Sequence, residues 1–171
     1  MAKSKGAKVT VRDLGYERLR KRMVELGKPF VTVGVHQSSI ERSADDGSSS
    51  PNMALVASVH EFGSSDGRVP ERSYLRSTMD SRRDDIATVM QKVEKKVVDG
   101  QLTPENGLGV VGQWIQGAVQ KTITNLDDPP LKQRTIDRRR NGGSNPLVDT
   151  GQLRASITYE VQTGQRPETE E

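Results

Sequence analysis

The sequence contains no cysteine and only two histidines, His36 and His60. Without cysteine there are no disulfide bonds and no thiolate metal sites, and two histidines are too few for a histidine-rich zinc site. No apolar stretch approaches the ~20 residues that a membrane-spanning helix needs. No apolar run follows the basic start MAKSKGAKV, so we expect no signal peptide and no membrane association, and we expect the protein to be made and kept in a cytoplasm. We also expect no cofactor.

Apolar and aromatic residues are also scarce. Among 171 residues, 32% are hydrophobic and 4% aromatic, less than is usual in a soluble domain. A thin core of this kind indicates long polar loops, or burial that is completed against other subunits. The length predicts a single domain, for which we expect a basic arm at residues 1–8, a folded domain at 9–163 with a mobile loop at 37–50, and an acidic tail at 164–171.

The net charge is +3, which is too small an excess to indicate a nucleic-acid-binding protein by itself. The basic residues are nevertheless concentrated near position 135. They are Lys132, Arg134, Arg138, Arg139 and Arg140, with Asp137 as the acid among them. Such a run is either a solvated face or a surface that contacts DNA phosphates without reading the base sequence.

Apolar periodicity predicts an α+β fold: a small, mainly antiparallel sheet with two long helices packed on one face, and long polar loops. We expect strands near Val9 and at FVTVGV, and a helix between Leu14 and Leu26. The next helix is predicted to begin with Ser50 as its cap and Pro51 as its first residue, with its apolar stripe at Leu55, Val59 and Phe62.

Two long helices are predicted after the loop SSDGRVPERS. The first has Ser73 as its cap and the apolar stripe Leu75, Met79, Ile86, Met90, Val93 and Val97. The second begins at Thr103-Pro104 and has the stripe Leu108, Val111, Ile115, Val119 and Ile123. Its four glycines lower the stability of an isolated helix, so we expect close packing around it. A short basic helix near residues 133–139 is expected to follow.

The triplet Asp149-Thr150-Gly151 has the sequence of an aspartic-protease active site. One copy supplies half of the carboxylate pair, so a protease would have to be a dimer. Only twenty residues follow Gly151, too few for the rest of such an enzyme. The alternative is a helix start, in which Asp149 is the cap, Gln152 completes a capping box, and Val148 and Leu153 form a hydrophobic staple. This second interpretation also predicts the strand at Ile157, Tyr159 and Val161.

No other catalytic arrangement is complete. His60-Glu61 is half of a zinc-protease motif, but Ser64 stands where the second histidine is required. The glycine-containing segment GQWIQG lacks the lysine and hydroxyl of a phosphate-binding loop. We therefore predict a non-enzymatic protein, with no catalytic, cofactor-binding or metal-binding residues.

Four segments in order, VTVGV, ALVASVHEFGSSDGRVPERSYLRSTMD, LKQRTI and NPLVDTGQLRASITYEV, resemble the virion morphogenesis, or tail-completion, family of tailed bacteriophages. The resemblance spans roughly residues 30–161. It departs from the family pattern at 71–74, where a second proline and a phenylalanine are more usual. The matching motif residues are Glu61, Phe62, Gly63, Pro70, Arg72, Tyr74, Leu75, Pro146, Leu147, Asp149, Thr150, Gly151, Leu153, Ser156 and Ile157.

The resemblance implies a structural protein of the phage neck, located in the virion at the head-to-tail junction. It would form a homo-oligomeric ring, expected to be a hexamer, that completes or terminates the tail and contacts the tail-tube protein and the head-completion proteins. A head-side adaptor or stopper is the alternative within this class, and a basic DNA-binding regulator is the alternative outside it. The loops at 37–50 and 64–72 are expected at subunit interfaces, and the basic run would face genomic DNA in the bore.

Overall fold

The computed structural model describes residues 29–36, 52–139 and 142–163, together with Arg18, Arg20, Lys21 and Val24. The strands in this part of the chain are β1 (Pro29–Val35) and β2 (Ile157–Thr163). The helices between them are α1 (Met53–Phe62), α2 (Leu75–Ser81), α3 (Arg83–Val98), α4 (Pro104–Asn125), α5 (Gln133–Ile136) and α6 (Gln152–Ser156). The predicted α+β class with antiparallel pairing is confirmed.

Several predictions fall outside the described residues: the basic arm at 1–8, the strand near Val9, the loop at 37–50 and the acidic tail at 164–171. Of the helix predicted from Leu14 to Leu26, the residues that are described, Arg18, Arg20, Lys21 and Val24, are helical.

The sheet pairs two strands that are far apart in sequence, β1 and β2. β1 and β2 run antiparallel, with Val31 opposite Val161, Val33 opposite Tyr159 and Val35 opposite Ile157. These β-branched and aromatic residues lie on one face because strand side chains alternate between faces. Ile157 is fully buried, so this face of the sheet carries part of the core.

Helix α4 lies against the sheet and forms the centre of the fold. The Thr103 hydroxyl accepts a hydrogen bond from Asn106 N at 3.2 Å, and Pro104 is the first helical residue, as predicted. Gly112 faces the sheet so closely that an added Cβ would lie 2.7 Å from atoms of Tyr159 and Val31. The helix approaches the strands at this point because glycine has no side chain to hold them apart.

A second face of α4 packs against α3. An added Cβ at Gly107 would lie 2.7 Å from Val93 and 3.1 Å from Val97. Close packing at two of the four glycines therefore confirms the expectation drawn from their number. The buried core comprises Ala57, Tyr74, Val111, Ile115, Val119, Ile123, Leu147, Leu153 and Ile157.

The single helix predicted from Leu75 to Val97 is wrong, because the chain leaves helical geometry at Arg82, with φ −110° and ψ 14°. Just before this break, the hydroxyls of Ser77 and Thr78 donate to the carbonyls of Ser73 and Tyr74, a local bonding pattern that bends helices. The buried residues also differ from the predicted stripe. Thr78 is buried in α2, whereas Met79 and Met90, predicted on the apolar stripe, are 44% and 49% exposed.

Two predicted helix starts also differ from the structure. The cap of α1 is Asn52, whose Oδ1 accepts from Ala54 N at 3.1 Å and Leu55 N at 3.3 Å, and not Ser50. Helix α6 begins at Gln152 after Gly151, which has φ +80°, a conformation that glycine adopts without a steric penalty. Asp149 is therefore not its cap. A cap at Asp149 would make Thr150 the first helical residue, whereas the turn at Gly151 places the first helical residue at Gln152.

Candidate functional site

Glu61 is a buried acidic side chain, only 4% exposed, that accepts several hydrogen bonds. Its Oε2 accepts a hydrogen bond from Leu75 N at 2.8 Å, and its Oε1 accepts from Arg76 N at 2.9 Å and from Ser73 Oγ at 2.7 Å. A carboxylate at this position satisfies the free amides at the start of α2 and interacts favourably with the helix dipole. Glu61 of α1 is thus the cap of α2, and the Ser73 hydroxyl donates to the Glu61 carboxylate.

Tyr74 and Thr78 carry the α1–α2 contact into the core. Tyr74 is fully buried, and its hydroxyl donates to the Ala57 carbonyl of α1 at 3.4 Å. Burial, with a smaller contribution from the charge of Glu61, raises the pKa of Tyr74 above its ordinary value. Thr78 Oγ1 lies 2.7 Å from Thr122 Oγ1 of α4. Helices α1, α2 and α4 are therefore joined by polar contacts within an apolar environment.

Gly63 allows the loop that follows α1 to return to the helix end. It has φ +79°, and an added Cβ would lie 3.0 Å from Glu71 N, so both the backbone conformation and the space require glycine. The loop is closed by hydrogen bonds from Ser64 N to Val69 O at 2.9 Å and from Arg72 N to His60 O at 2.7 Å. The side chain of Ser64 donates to Asp66, and this bond lowers the pKa of Asp66.

Arg72 connects this loop to the segment that follows α4. The residue is 4% exposed, and its Nε donates to Pro129 O at 2.8 Å while one terminal nitrogen donates to Pro130 O at 3.4 Å. Among the described residues no carboxylate lies within ion-pair distance of its guanidinium. Burial first, and then the charge of Arg139, lower the pKa of Arg72. Arg72 was expected at a subunit interface, but its side chain is committed to the interior.

Arg139 organises the last motif segment. One terminal nitrogen donates to the carbonyls of Gly143, Asn145 and Val148 at 3.0, 2.6 and 3.1 Å, and the other donates to Pro146 O at 3.4 Å. Its side chain is 9% exposed, with Nε 4.0 Å from Asp149 Oδ1. Arg139 was predicted as a possible DNA-facing residue; in the structure its terminal nitrogens donate to backbone carbonyls of the following turn.

The remaining members of the basic run differ from Arg139. Lys132, Arg134 and Arg138 are exposed and are free of the structural role that Arg139 has. Arg140 lies outside the described residues. The sequence pattern grouped these residues because they share a charge, but the fold separates the buried arginine from the exposed ones.

Asn145 is a structural residue that the sequence analysis did not identify. Its Nδ2 donates to Thr124 O at 2.7 Å and to Ile123 O at 3.4 Å, at the end of α4. Its Oδ1 accepts from Leu147 N at 2.9 Å and Val148 N at 2.8 Å. An asparagine that bonds the backbone two residues later is a known turn device, and its position before proline in SNPLV was the available signal.

Residues 54–80 and 145–161, which we call the first and second motif segments, are far apart in sequence. They meet around one cavity of about 370 Å³. Pro70 and Arg72 from the first segment, and Asp149 and Leu153 from the second, line it. The triplet Asp149-Thr150-Gly151 lies at this cavity, where Asp149 Oδ1 is 4.0 Å from Arg139 Nε. The cavity walls combine aliphatic side chains with several cationic ones.

His60 also lines this cavity, and its Nδ1 is buried without a hydrogen-bond partner among the described residues. Burial lowers the pKa of His60, and the positive charges of Arg72 and Arg139 lower it further. The imidazole is consequently neutral at neutral pH. His36 has different surroundings, because its ring nitrogens lie 2.8 Å from Thr32 Oγ1 and 3.1 Å from Thr158 Oγ1 on the sheet.

The outward side of α1 is apolar, contrary to the predicted arrangement. Leu55 and Phe62, predicted to face the core, are 63% and 70% exposed, while Ala57 and Glu61 are buried. Residues seven apart lie on the same side of a helix, so Leu55 and Phe62 form one exposed apolar surface with the half-buried Val59 between them. We call Leu55, Val59 and Phe62 the α1 outer face.

The described residues contain no group of three histidine, cysteine, aspartate or glutamate side chains arranged to hold a metal ion. In the same part of the chain, no helix has the length and apolar character needed to cross a membrane. No protein-family model, no curated protein and no solved structure matches this chain.

Proposed function

We propose that this protein is a structural virion protein of a tailed phage, forming a ring at the head-to-tail junction that completes or terminates the tail and joins it to the head. The observation that carries this proposal is the α1 outer face. In a chain with two phenylalanines, one of them is 70% exposed. Large exposed apolar groups that share one surface favour an interface with another protein.

The position of this face agrees with the motif order that resembles the tail-completion family. Phe62 belongs to the E-F-G motif, in which Glu61 caps α2 and Gly63 turns the chain. Glu61 and Gly63 have structural roles inside the subunit, whereas the side chain of Phe62 is directed away from it. Phe62 is the exposed residue of this motif, so its side chain is available for contact with a partner.

A closed ring needs two different complementary surfaces on each subunit, because each interface is formed by unlike faces. The α1 outer face supplies one apolar surface. The loop after it adds the exposed residues Ser65, Asp66, Gly67 and Arg68, and the interface that we propose includes this loop, near residues 64–72. The ring size expected from the resemblance is six, and the partners are other copies of the chain, the tail tube and the head-completion proteins.

The proposal is tested with a phage that carries an early stop codon in this gene. Without complementation, electron microscopy of the lysate should show filled heads separate from tails, with tails of abnormal length or without a cap. Supplying the wild-type protein should restore joined, infectious particles. Normal tails beside defective heads would instead favour the head-side adaptor or stopper, and intact infectious particles without complementation would exclude a neck role.

The α1 outer face is tested in the same assay with the double substitution Leu55→Ser and Phe62→Ser. We expect at least a hundredfold loss of infectious particles, with the far-ultraviolet circular dichroism and thermal unfolding of the purified variant unchanged, since both side chains are exposed. Val110→Ser is the matched control, because Val110 is an apolar residue of α4 that is 46% exposed. Complementation by the double variant at the wild-type level would contradict an interface at this face.

A further inference from the structure

The cavity between the first and second motif segments is open to the solvent, because exposed residues such as Pro70, Lys132 and Gln152 line it. Val56 and Leu147 are among the side chains that form its aliphatic walls. Its volume is about 370 Å³, at the small end of the range for ligand-binding pockets. An open cavity of this size and composition fits one apolar side chain of another protein molecule.

Two arginines suit this cavity to an aromatic ring. Arg72 and Arg139 line it, and both are hydrogen-bonded to backbone carbonyls of the subunit, so neither needs an anion in the cavity. A guanidinium that is bonded at its edge still has planar faces, which stack on aromatic rings. Pro70 and Pro130 add flat aliphatic rings to the lining. The lining therefore favours a flat, uncharged side chain over a carboxylate or a phosphate.

Phe62 is an exposed aromatic side chain of the kind that this cavity fits. It is 70% exposed. The other aromatic residues in the described part of the chain are less accessible, since Phe30 and Tyr74 are buried and Trp114 and Tyr159 are half-buried. Among the described residues, Phe62 is therefore the aromatic side chain that is available to another copy of the chain.

Phe62 is directed away from the cavity of its own subunit. From α1, the residues Met53, Val56 and His60 line the cavity. At about 100° per residue, Phe62 lies about 150° around the helix from the centre of these three. The exposed ring and the cavity are therefore unlike surfaces on opposite sides of α1, as head-to-tail packing in a closed ring requires.

We propose that Phe62 of one copy is buried in the cavity of the next copy, so that each subunit of the ring provides one aromatic side chain and receives one. This inference rests on the proposed function, because it specifies the interface between copies within the ring. An aromatic side chain in a pocket contributes much of the affinity in many protein interfaces. Leu55, two helical turns before Phe62 on the same side of α1, contacts the neighbouring copy outside the cavity.

Cross-linking between introduced cysteines tests this contact, because the chain itself has no cysteine. Ser58 is exposed on the same side of α1 as Phe62, and Gln152 is exposed at the cavity. The variant Ser58→Cys with Gln152→Cys retains Phe62 and is supplied to the stop-codon phage. Purified particles are then treated with a short bis-maleimide cross-linker. We expect dimers, trimers and larger species on a denaturing gel, because each copy is linked to two neighbours.

The matched control is Ser58→Cys with Thr88→Cys, since Thr88 is exposed on α3 and does not line the cavity. It should give no species larger than a dimer. Particles that contain the first variant without this series of species would overturn the inference and leave the ring to another interface. Linkage of position 58 to a different phage protein would also overturn it. Absence of the protein from particles would instead contradict the proposed function.

A substitution that fills the cavity gives a second test in the complementation assay. Thr135 is an exposed residue of α5 that lines the cavity, so Thr135→Trp places an indole where the ring of Phe62 would bind. We expect at least a tenfold loss of infectious particles, with the thermal unfolding of the purified variant unchanged. Thr88→Trp, at an exposed position of α3, should complement as the wild type does. Equal complementation by the two tryptophan variants would overturn the proposal.

Discussion

Two regions of this protein are held together in different ways. Around α4 the contacts are apolar and close, and they involve residues that repeat at helical and strand spacing, such as Val111, Ile115 and Val119. Around the motif segments the contacts are made by single buried polar side chains, Glu61, Arg72 and Arg139, that bond to backbone groups far along the chain or in irregular loops. The first region tolerates small adjustments, whereas the second depends on individual donors and acceptors.

The largest effect expected from this difference is at Arg139. Replacement by glutamine removes most of four hydrogen bonds to the carbonyls of residues 143, 145, 146 and 148. Since these acceptors would lose charged donors, we expect a loss of about 3 kcal/mol in the free energy of unfolding. Denaturant unfolding measures it.

Arg138→Gln is the control for this change, because Arg138 is adjacent and exposed. It should alter stability by about 0.5 kcal/mol or less. If both substitutions have the same small effect, Arg139 does not organise this segment and the contrast between the two regions is lost.

A smaller loss is expected at Glu61. Glutamine at this position retains one acceptor oxygen but loses the charge that faces the amino end of α2 and the second acceptor. We expect destabilisation of about 2 kcal/mol, with the amides of Leu75 and Arg76 becoming faster in hydrogen exchange. Glu94→Gln, on the exposed side of α3, should leave both measurements unchanged. Unaltered exchange at Leu75 and Arg76 in the Glu61 variant would refute the capping role.

The smallest effect is expected in the apolar region around α4. Two glycines of this helix, Gly112 and Gly117, differ in the space around them and can be compared. Gly112→Ala places a Cβ 2.7 Å from Tyr159 and Val31, so we expect a loss of about 1 to 2 kcal/mol in thermal unfolding experiments. Gly117→Ala adds a Cβ with nothing within 4 Å and should raise stability by up to about 1 kcal/mol. A gain at both positions would mean that α4 does not approach the sheet at Gly112.

Predictions from sequence were most successful where the contacts are local. The start of α4 at Thr103-Pro104 and the strand at Ile157 were predicted because caps, proline and alternation act over a few residues. Predictions of which side of a helix is buried were weaker. The α1 outer face has the spacing of a core stripe, and nothing local distinguishes an apolar stripe that packs inside the subunit from one that is exposed.

In the candidate site, too, local features were predicted and long-range contacts were not. The motif residues were identified as a set, but the sequence did not indicate that Glu61 caps a different helix or that Arg139 differs from the arginine beside it. Ser73 and Asp149 were predicted as caps because their residue types suit that role. In the structure a remote carboxylate serves α2, and Gly151 precedes α6.

The sequence by itself determined the α+β class, the apolar residues of α4 and the strands that pair, because periodicity and turn chemistry depend on neighbours along the chain. The tertiary structure alone decided which charged residues are buried and which apolar residues are exposed. Those outcomes depend on what lies opposite each side chain. Burial of Glu61 and Arg139 is tolerated only because backbone amides and carbonyls from other segments meet them there.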